Sequence, residues 1–452
     1  MKQLFFLPIG LISLLCFRCD KEVTDPVEIT KVITETISIV TTNTIEVPIV
    51  VELDPIKVQK GNSTKVYAHY MPWFKSKPFS GYWNLHWTQS NRNPDNFTEE
   101  IADINGLGQI NYLKREIAAH FYPLIGPYDT EDPLLQEYHF LLMKYSGIDG
   151  IIIDHPGAIE LTLSDGFDER IEDVQSLIPR IEKTGIEFSI MYEDRDIKYK
   201  YDEGRINDDT ITDTVIKDLI FLDTYFTHAN YTKDNGKLLF TIFGPLFINN
   251  PLNWNEIFAS MNHSFDFLTL WGSFERAGDF ANGEYAWVFG GDNIDHLWHI
   301  DNFYKNTVTK LEKSIGGIYP GFKDFYFEGG WESDPEGIGW EINHRGVNTL
   351  NACIDLARKY SPETVQLITW NDIQEGTMIE PTIEFGFLYL EAIADYTESP
   401  YGLDEFVLIY NYYQKRKIFV SDNEKQKLLD QVFYLLTSLQ VEKANNLIDK
   451  IN

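Results

Sequence analysis

From Lys65 onward the chain repeats one pattern: a short apolar run, then an abrupt polar or aromatic stop. The runs are VYAHY stopping at Met71, Pro72 and Trp73; EIAAH at Phe121, Tyr122 and Pro123; GIIID at His155 and Pro156; and EFSIM at Tyr192, Glu193 and Asp194. They continue with KLLFTIF at Gly244 and Pro245, FDFLTL at Trp271 and Gly272, GGIYP at Gly321 and Phe322, and VQLIT at Trp370, Asn371 and Asp372. Runs of this length, bounded by turn-forming residues, predict buried strands. Between them, apolar residues at helical spacing predict helices over Pro133 to Ser146, Arg170 to Thr184, Thr212 to Thr227 and Val347 to Lys359. Eight strand-then-helix units predict an α/β fold, a (β/α)8 TIM-type barrel with its working face at the carboxyl ends of the strands. The second unit departs most from the pattern, because Phe74 to Arg115 reads as loop. After Glu384, FGFLYLEAIADY continues a helix, and Asp404 to Asn452, free of Gly and Pro, predicts two or three closing helices packed on the barrel. The division that follows is 1–19 signal, 20–62 extended tether, 63–400 barrel and 401–452 closing helices.

The amino terminus reads as an address. Lys2 precedes an apolar run from Leu4 to Leu15 that is too short to span a bilayer, which predicts a secretory signal removed from the mature protein. Its end, LLCFRCDKE, resembles a bacterial lipoprotein signal, with Cys19 favoured over Cys16 as the lipidated residue. Arg18 and Leu15 stand where that signal usually has a small residue. Asp20, Lys21 and Glu22 resemble the tether of surface lipoproteins of Bacteroides-like bacteria. The resemblance implies an exported lipoprotein of a Gram-negative outer membrane, touching the membrane only through its anchor, with neighbouring glycan-uptake proteins as possible partners.

Composition narrows the substrate. With 452 residues, 43% of them hydrophobic, the chain can bury a barrel core of about 250 residues and still carry appendages. A formal net charge of -31 repels nucleic acid and favours a neutral substrate. The 10 Trp, 25 Tyr and 30 Phe supply flat rings for sugar stacking as well as for core packing. Three cysteines, Cys16, Cys19 and Cys353, build neither a disulfide framework nor a Cys-based zinc site. His69, His86 and His155 recur at no fixed ligand spacing, and there is no nucleophile elbow. No cofactor is expected.

The candidate chemistry sits in VQLITWNDIQEGTMIEPT, Val365 to Thr382. A strand that ends in Trp370, Asn371, Asp372, Gln374 and Glu375 offers a carboxylate pair, Asp372 and Glu375, that either caps and salt-bridges a loop or works as an acid and a base. Other strand ends contribute Tyr70 and Trp73, Tyr122, Asp154 and His155, Glu193 and Asp194, and Trp271. His86 and Trp87 follow in the loop GYWNLHW. This aromatic set suits either a sugar-stacking wall or a hydrophobic plug over the barrel edge. Carboxylates around an aromatic mouth, with no phosphate loop, fit glycoside hydrolysis.

At these residues the chain resembles glycoside hydrolase family 99, the endo-α-mannosidases and endo-α-mannanases, and more distantly family 71, the α-1,3-glucanases. The likeness spans roughly Val66 to Tyr396 and is carried by EIAAHFYPLIGPYDTEDP and WNDIQEGTMIEPT. It implies Glu375 as general acid and Asp372 as the base that draws a proton from the substrate's 2-hydroxyl. It also implies Trp87 beside the sugar of the -2 subsite and Glu193 as the carboxylate closing the fourth strand. The chain departs from family 99 in having Asp372 where that family has Glu, and Asn-Asp-x-x-Glu is the family 71 form. It departs again at Asp154, His155, Pro156 and Gly157. The expectation is an endo-acting α-glycosidase on α-mannan or a related α-linked glycan. An α-1,3-glucanase and a non-catalytic glycan-binding lipoprotein stand as alternatives.

Overall fold

A computed structural model describes residues 50–101, 112–155, 157, 170–291, 295–308, 310–331, 333 and 338–452. The expected signal, Cys19 and Pro156 lie outside them. Eight parallel strands close a barrel: β1 Lys65–Tyr70, β2 Gly150–His155, β3 Glu187–Tyr192, β4 Lys237–Ile242, β5 Phe265–Leu270, β6 Ala281–Tyr285, β7 Lys313–Ile318 and β8 Thr364–Leu367. Closure falls between β3 and β4, where Ile190 stands opposite Phe240. Among the described residues the helices of eight or more residues are α1 Pro133–Tyr145, α2 Arg170–Thr184, α3 Arg195–Asp202, α4 Ile211–Phe226, α5 Pro251–Ala259, α6 His296–Phe303, α7 Asn348–Tyr360, α8 Leu388–Thr397, α9 Leu403–Ile418, α10 Asn423–Thr437 and α11 Val441–Ile448. The four helices predicted from spacing are present within one residue at either end. Start signals are plain in α1, where Asp132 accepts from the Leu134 amide at 2.9 Å and Pro133 takes the first helical position.

Seven of the expected strands line the barrel and one does not. EIAAH lies in a long excursion between β1 and α1, and its backbone bonds run to other loop residues, as from the Ala118 amide to the Trp87 carbonyl at 2.8 Å. The same excursion holds two short helices, Lys77–Ser80 and Leu85–Thr88, and a hairpin of Phe97–Ile101 with Tyr112–Arg115. The missing strand is β6, whose sequence ANGEY shows no apolar run. Its polar residues have structural reasons. A Cβ on Gly283 would come within 2.4 Å of the Lys313 carbonyl oxygen on the neighbouring strand, so only glycine fits. Asn282 donates to Asp266 at 2.7 Å, and Glu284 accepts from the amides of Gly272 and Phe274.

Side chains alternate across each strand. Tyr67, Ile152, Met191, Leu268, Tyr285 and Ile315 fill the barrel interior, while Val66, Ile151, Ile153, Ile190 and Phe240 face the helices. Below the interior layer, at the amino-terminal end, Lys65, Glu187, Asp266 and Lys313 line a cavity of about 320 Å³. Ion pairs cross it, including Lys65 to Glu187 at 2.9 Å.

Residues 50–62, the described end of the expected tether, are extended and lie along the body. Ile56 donates to the Thr437 carbonyl and Gly61 to that of Thr397, both at 3.1 Å. Lys144, buried in α1, donates to Ile56 and to Thr184, and burial pulls its ammonium pKa down to about 7. Helices α9, α10 and α11 close the carboxyl terminus. Between α9 and α1, Glu137 is buried against Tyr412, Arg416 and Arg180.

Candidate active site

Alternation along the strands decides what reaches the mouth. Two residues beyond the interior layer, Tyr67 leads to His69, Ile152 to Asp154, Met191 to Glu193 and Tyr285 to Trp287, so these four project inward on the carboxyl side. His69 Nε2 stands 3.9 Å from Asp154 Oδ2, and its ring meets the Trp287 ring edge-on at 4.9 Å. Burial pushes the His69 pKa down to about 3 despite the pull of Glu193, so the imidazole is neutral at physiological pH. Arg195 Nε lies 3.9 Å from Glu193, and that carboxylate holds the guanidinium in its charged form.

The loop after β8 supplies the other half. Thr369 and Thr377 join across it by a backbone bond of 2.8 Å and a hydroxyl contact of 3.1 Å, which forces residues 370–376 into a tight turn. Asn371 clamps this turn to β1, accepting from the Met71 amide at 2.8 Å and donating to its carbonyl at 2.9 Å. Within it, Asp372 Oδ1 accepts from the Glu375 amide at 3.1 Å, so the first carboxylate shapes the turn that presents the second. Gly376 follows at φ +65, and a Cβ there would come within 2.8 Å of the Lys323 carbonyl oxygen. The Lys323 amide donates to the Glu375 carbonyl at 2.8 Å, and the Tyr326 hydroxyl donates to Glu375 Oε1 at 2.7 Å.

Both carboxyls are raised above the ordinary carboxylate range. For Asp372 the causes are burial first, then the neighbouring Glu375 charge, with Asp154 adding to it. For Glu375 burial again leads, opposed by the bond from Tyr326 and by Arg195. Two such groups in one turn cannot both ionise easily, because a charge on one pushes the other carboxyl up.

Of the other candidates from sequence, Asp154 and Glu193 stand at the mouth, and Trp73 and His86 lie beside the turn. His86 Nδ1 is 3.1 Å from Gln374 Oε1, and the Trp73 ring stacks on His86 at 4.7 Å. The rest make contacts elsewhere. Trp87 is fully buried, its Nε1 donating to the Tyr128 carbonyl at 2.8 Å and its ring packed on Phe74 and Tyr128, so no face is left for a sugar. Tyr70 is turned outward toward His139 of α1, because it occupies the alternate strand position, and Trp370, beyond the end of β8, meets the same His139 ring. His155 is likewise outward, against Tyr225 of α4. Tyr122 accepts from the Arg115 amide at 3.0 Å inside the excursion, and Trp271 packs on His299 and Phe303 of α6. Asn371 acts as the clamp, fully buried. Asp194, at the same strand end as Glu193, is spent on the amides of Leu246, Phe247 and Ile248 at 2.7 to 3.1 Å. Glu193 closes the third barrel strand, not the fourth.

Sequence reading missed Trp287, Tyr326 and Arg195. Period-two continuation from Tyr285 finds Trp287 once β6 is known to be a strand. Nothing local marks Tyr326, which reaches Glu375 from a different loop.

An acidic mouth at the carboxyl end of a (β/α)8 barrel, with a carboxylate pair on the last loop, defines a barrel hydrolase type of site. Comparison with known proteins gives a more particular likeness. The chain is 23% identical over 340 residues, covering 70% of each sequence, to a glycoprotein endo-alpha-1,2-mannosidase from Xenopus laevis. In fold it matches the GH99 endo-alpha-mannosidase from Bacteroides thetaiotaomicron, in complex with bis-tris-propane, with a TM-score of 0.54 at 17% identity, covering 77% of this chain and 98% of that one. A glycoside hydrolase-like protein matches with a TM-score of 0.51 at 13% identity, over 76% and 96% of the two chains. No family model matches the chain. The barrel is therefore of the kind found in GH99 endo-alpha-mannosidases.

Proposed function

We propose that this chain is a glycoside hydrolase of endo-α-mannosidase type, cleaving α-mannan or a related α-linked glycan within the chain. The observation that carries the reading is the turn 371–376, which holds buried Asp372 and partly buried Glu375 together through a hydrogen bond, near enough to Asp154 and Glu193 to feel their charges. The likeness to mannosidases in both sequence and fold supports it.

In this mechanism protonated Glu375 gives its proton to the leaving glycosidic oxygen as the C1–O bond breaks. Asp372, ionised, takes the proton of the substrate's 2-hydroxyl, whose oxygen closes on C1 to form a 1,2-anhydro sugar. Water then opens that ring at C1. Its proton passes to the ionised Glu375, and the proton held by Asp372 returns to the 2-oxygen, so both carboxyls end as they began. Neutral His69 and the Trp287 ring line the buried side of the mouth.

Purified protein incubated with yeast α-mannan releases oligosaccharides seen by mass, and Glu375→Gln abolishes the release; full activity in that variant removes Glu375 as the acid. The Asn371-Asp372 pair favours a second reading, an α-1,3-glucanase, and side-by-side digestion of yeast mannan and an α-1,3-glucan separates the two. Cell-surface display through Cys19 belongs to the same proposal. Palmitate labelling lost in Cys19→Ala and kept in Cys16→Ala is the expected result.

A further inference from the structure

The loop after β7 carries two rings that the mechanism above leaves partly unused. Tyr326 donates to Glu375 Oε1 at 2.7 Å, and Trp331 stacks on Tyr326 with ring centroids 5.7 Å apart and planes 22° apart. The outer face of Trp331 is open, the residue being 42% exposed, although a tryptophan this size is normally covered. Residues 325–331 are tied down by backbone bonds. The Trp331 amide donates to the Tyr326 carbonyl at 2.8 Å, Gly329 to Phe325 at 2.7 Å, and Phe325 to Gln374 of the catalytic turn at 2.9 Å. From the opposite side, Ser90 donates to the Gly329 carbonyl at 2.9 Å. An exposed indole on a fixed backbone, one ring away from the general acid, is a preformed stacking surface.

We propose that Tyr326 and Trp331 form the leaving-group side of the site: Trp331 is the platform for the departing sugar, and Tyr326 is a positioning residue that aims Glu375 at the oxygen of that sugar. This rests on Glu375 being the general acid. The physical reason is that the acid must stand beside the leaving oxygen, so whatever adjoins the acid adjoins the leaving sugar. With Oε1 occupied by the tyrosine hydroxyl, the transferable proton is confined to Oε2. A sugar stacked on Trp331 is a neutral, apolar-faced ligand, which suits a chain whose net charge is -31.

The test uses two substrates and the full-length protein. Yeast α-mannan needs both acid assistance and a leaving-sugar subsite; an α-mannobiosyl fluoride needs neither, because fluoride departs unaided and carries no sugar. Trp331→Ala is expected to lower the ratio of mannan to fluoride kcat/KM by about tenfold or more, and Trp331→Phe to restore most of it. Tyr326→Phe is expected to lower the same ratio and to move the alkaline limb of the kcat/KM profile to higher pH, since the lost bond favoured ionised Glu375. A side chain that only braced the loop would lower both substrates together and leave the limb in place. Wild-type ratios in all three variants, or equal losses on both substrates, overturn the proposal. If the wild-type protein cleaves neither substrate, the glycosidase reading itself falls and this one with it.

Discussion

Asp372 does two jobs whose demands oppose each other. Its Oδ1 holds the Glu375 amide, which any side-chain carbonyl could do, while its charge is disfavoured by burial and by Glu375. A carboxyl whose folded pKa lies above its unfolded value of about 3.9 contributes stability at low pH that is lost as pH rises through the folded value. Asp372→Asn keeps the acceptor and removes the charge. It is expected to raise the melting temperature at pH 7 by about 1–3 °C while reducing mannan cleavage by about 100-fold or more, as differential scanning calorimetry and product analysis would show. A melting temperature that falls would mean that the charge itself, not the acceptor, holds the turn. Under the proposed mechanism activity is expected to fall on the acid side as the pair gains a second proton and on the alkaline side as it loses its last, giving a bell in kcat/KM. In Glu375→Gln any residual glycan cleavage should lack the alkaline limb.

At the scale of elements, the described residues of the long excursion after β1 support the turn 370–376. His86 reaches Gln374 and Trp73 stacks on His86, whereas Trp87, its neighbour on the same short helix, points into the core. Trp87→Ala is therefore expected to cost about 3–5 kcal/mol of stability in urea denaturation, with KM for glycan unchanged in the folded protein below its transition. A raised KM with unaltered stability would return Trp87 to the binding site. In β6, Gly283→Ala forces a Cβ to within 2.4 Å of the Lys313 carbonyl oxygen, which has no room to move in a closed sheet. The expected result is a loss of about 1–3 kcal/mol or failure to fold, read by the same denaturation curve.

Across the whole molecule, residues 50–62 join the amino-terminal end of the barrel to the closing helices. Lys60 is nearly buried and pairs with Asp149, whose carboxylate also accepts from the Val66 amide at 2.8 Å as β1 begins. Burial lowers the Lys60 pKa, and Asp149 opposes that. Lys60→Met leaves Asp149 with Lys65 and the Val66 amide alone. It should reduce stability by about 1–3 kcal/mol with no change in kcat, because the mouth lies at the far end of the strands. Stability unchanged in Lys60→Met would show that the segment rests on the body without bracing it.

What the sequence by itself determined is the part governed by local pattern. Seven barrel strands, the four helices between them and the closing helices are legible because burial on both faces makes a strand uniformly apolar and burial on one face makes a helix periodic. The turn carrying Asp372 and Glu375 is legible for the same reason, as an apolar strand that stops at groups too polar to bury without partners. Only the tertiary structure decided the rest. It made ANGEY a strand, since crowding by β7 selects glycine where pattern demands valine, and it left EIAAH outside the barrel, since its backbone partners lie in the excursion. It turned Tyr70 and His155 outward and His69, Asp154 and Trp287 inward, because the phase of a period-two pattern is set by closure of the sheet. And it brought Tyr326 to Glu375 across 49 residues of chain, a meeting that arises where the loops of two adjacent parallel strands pack together.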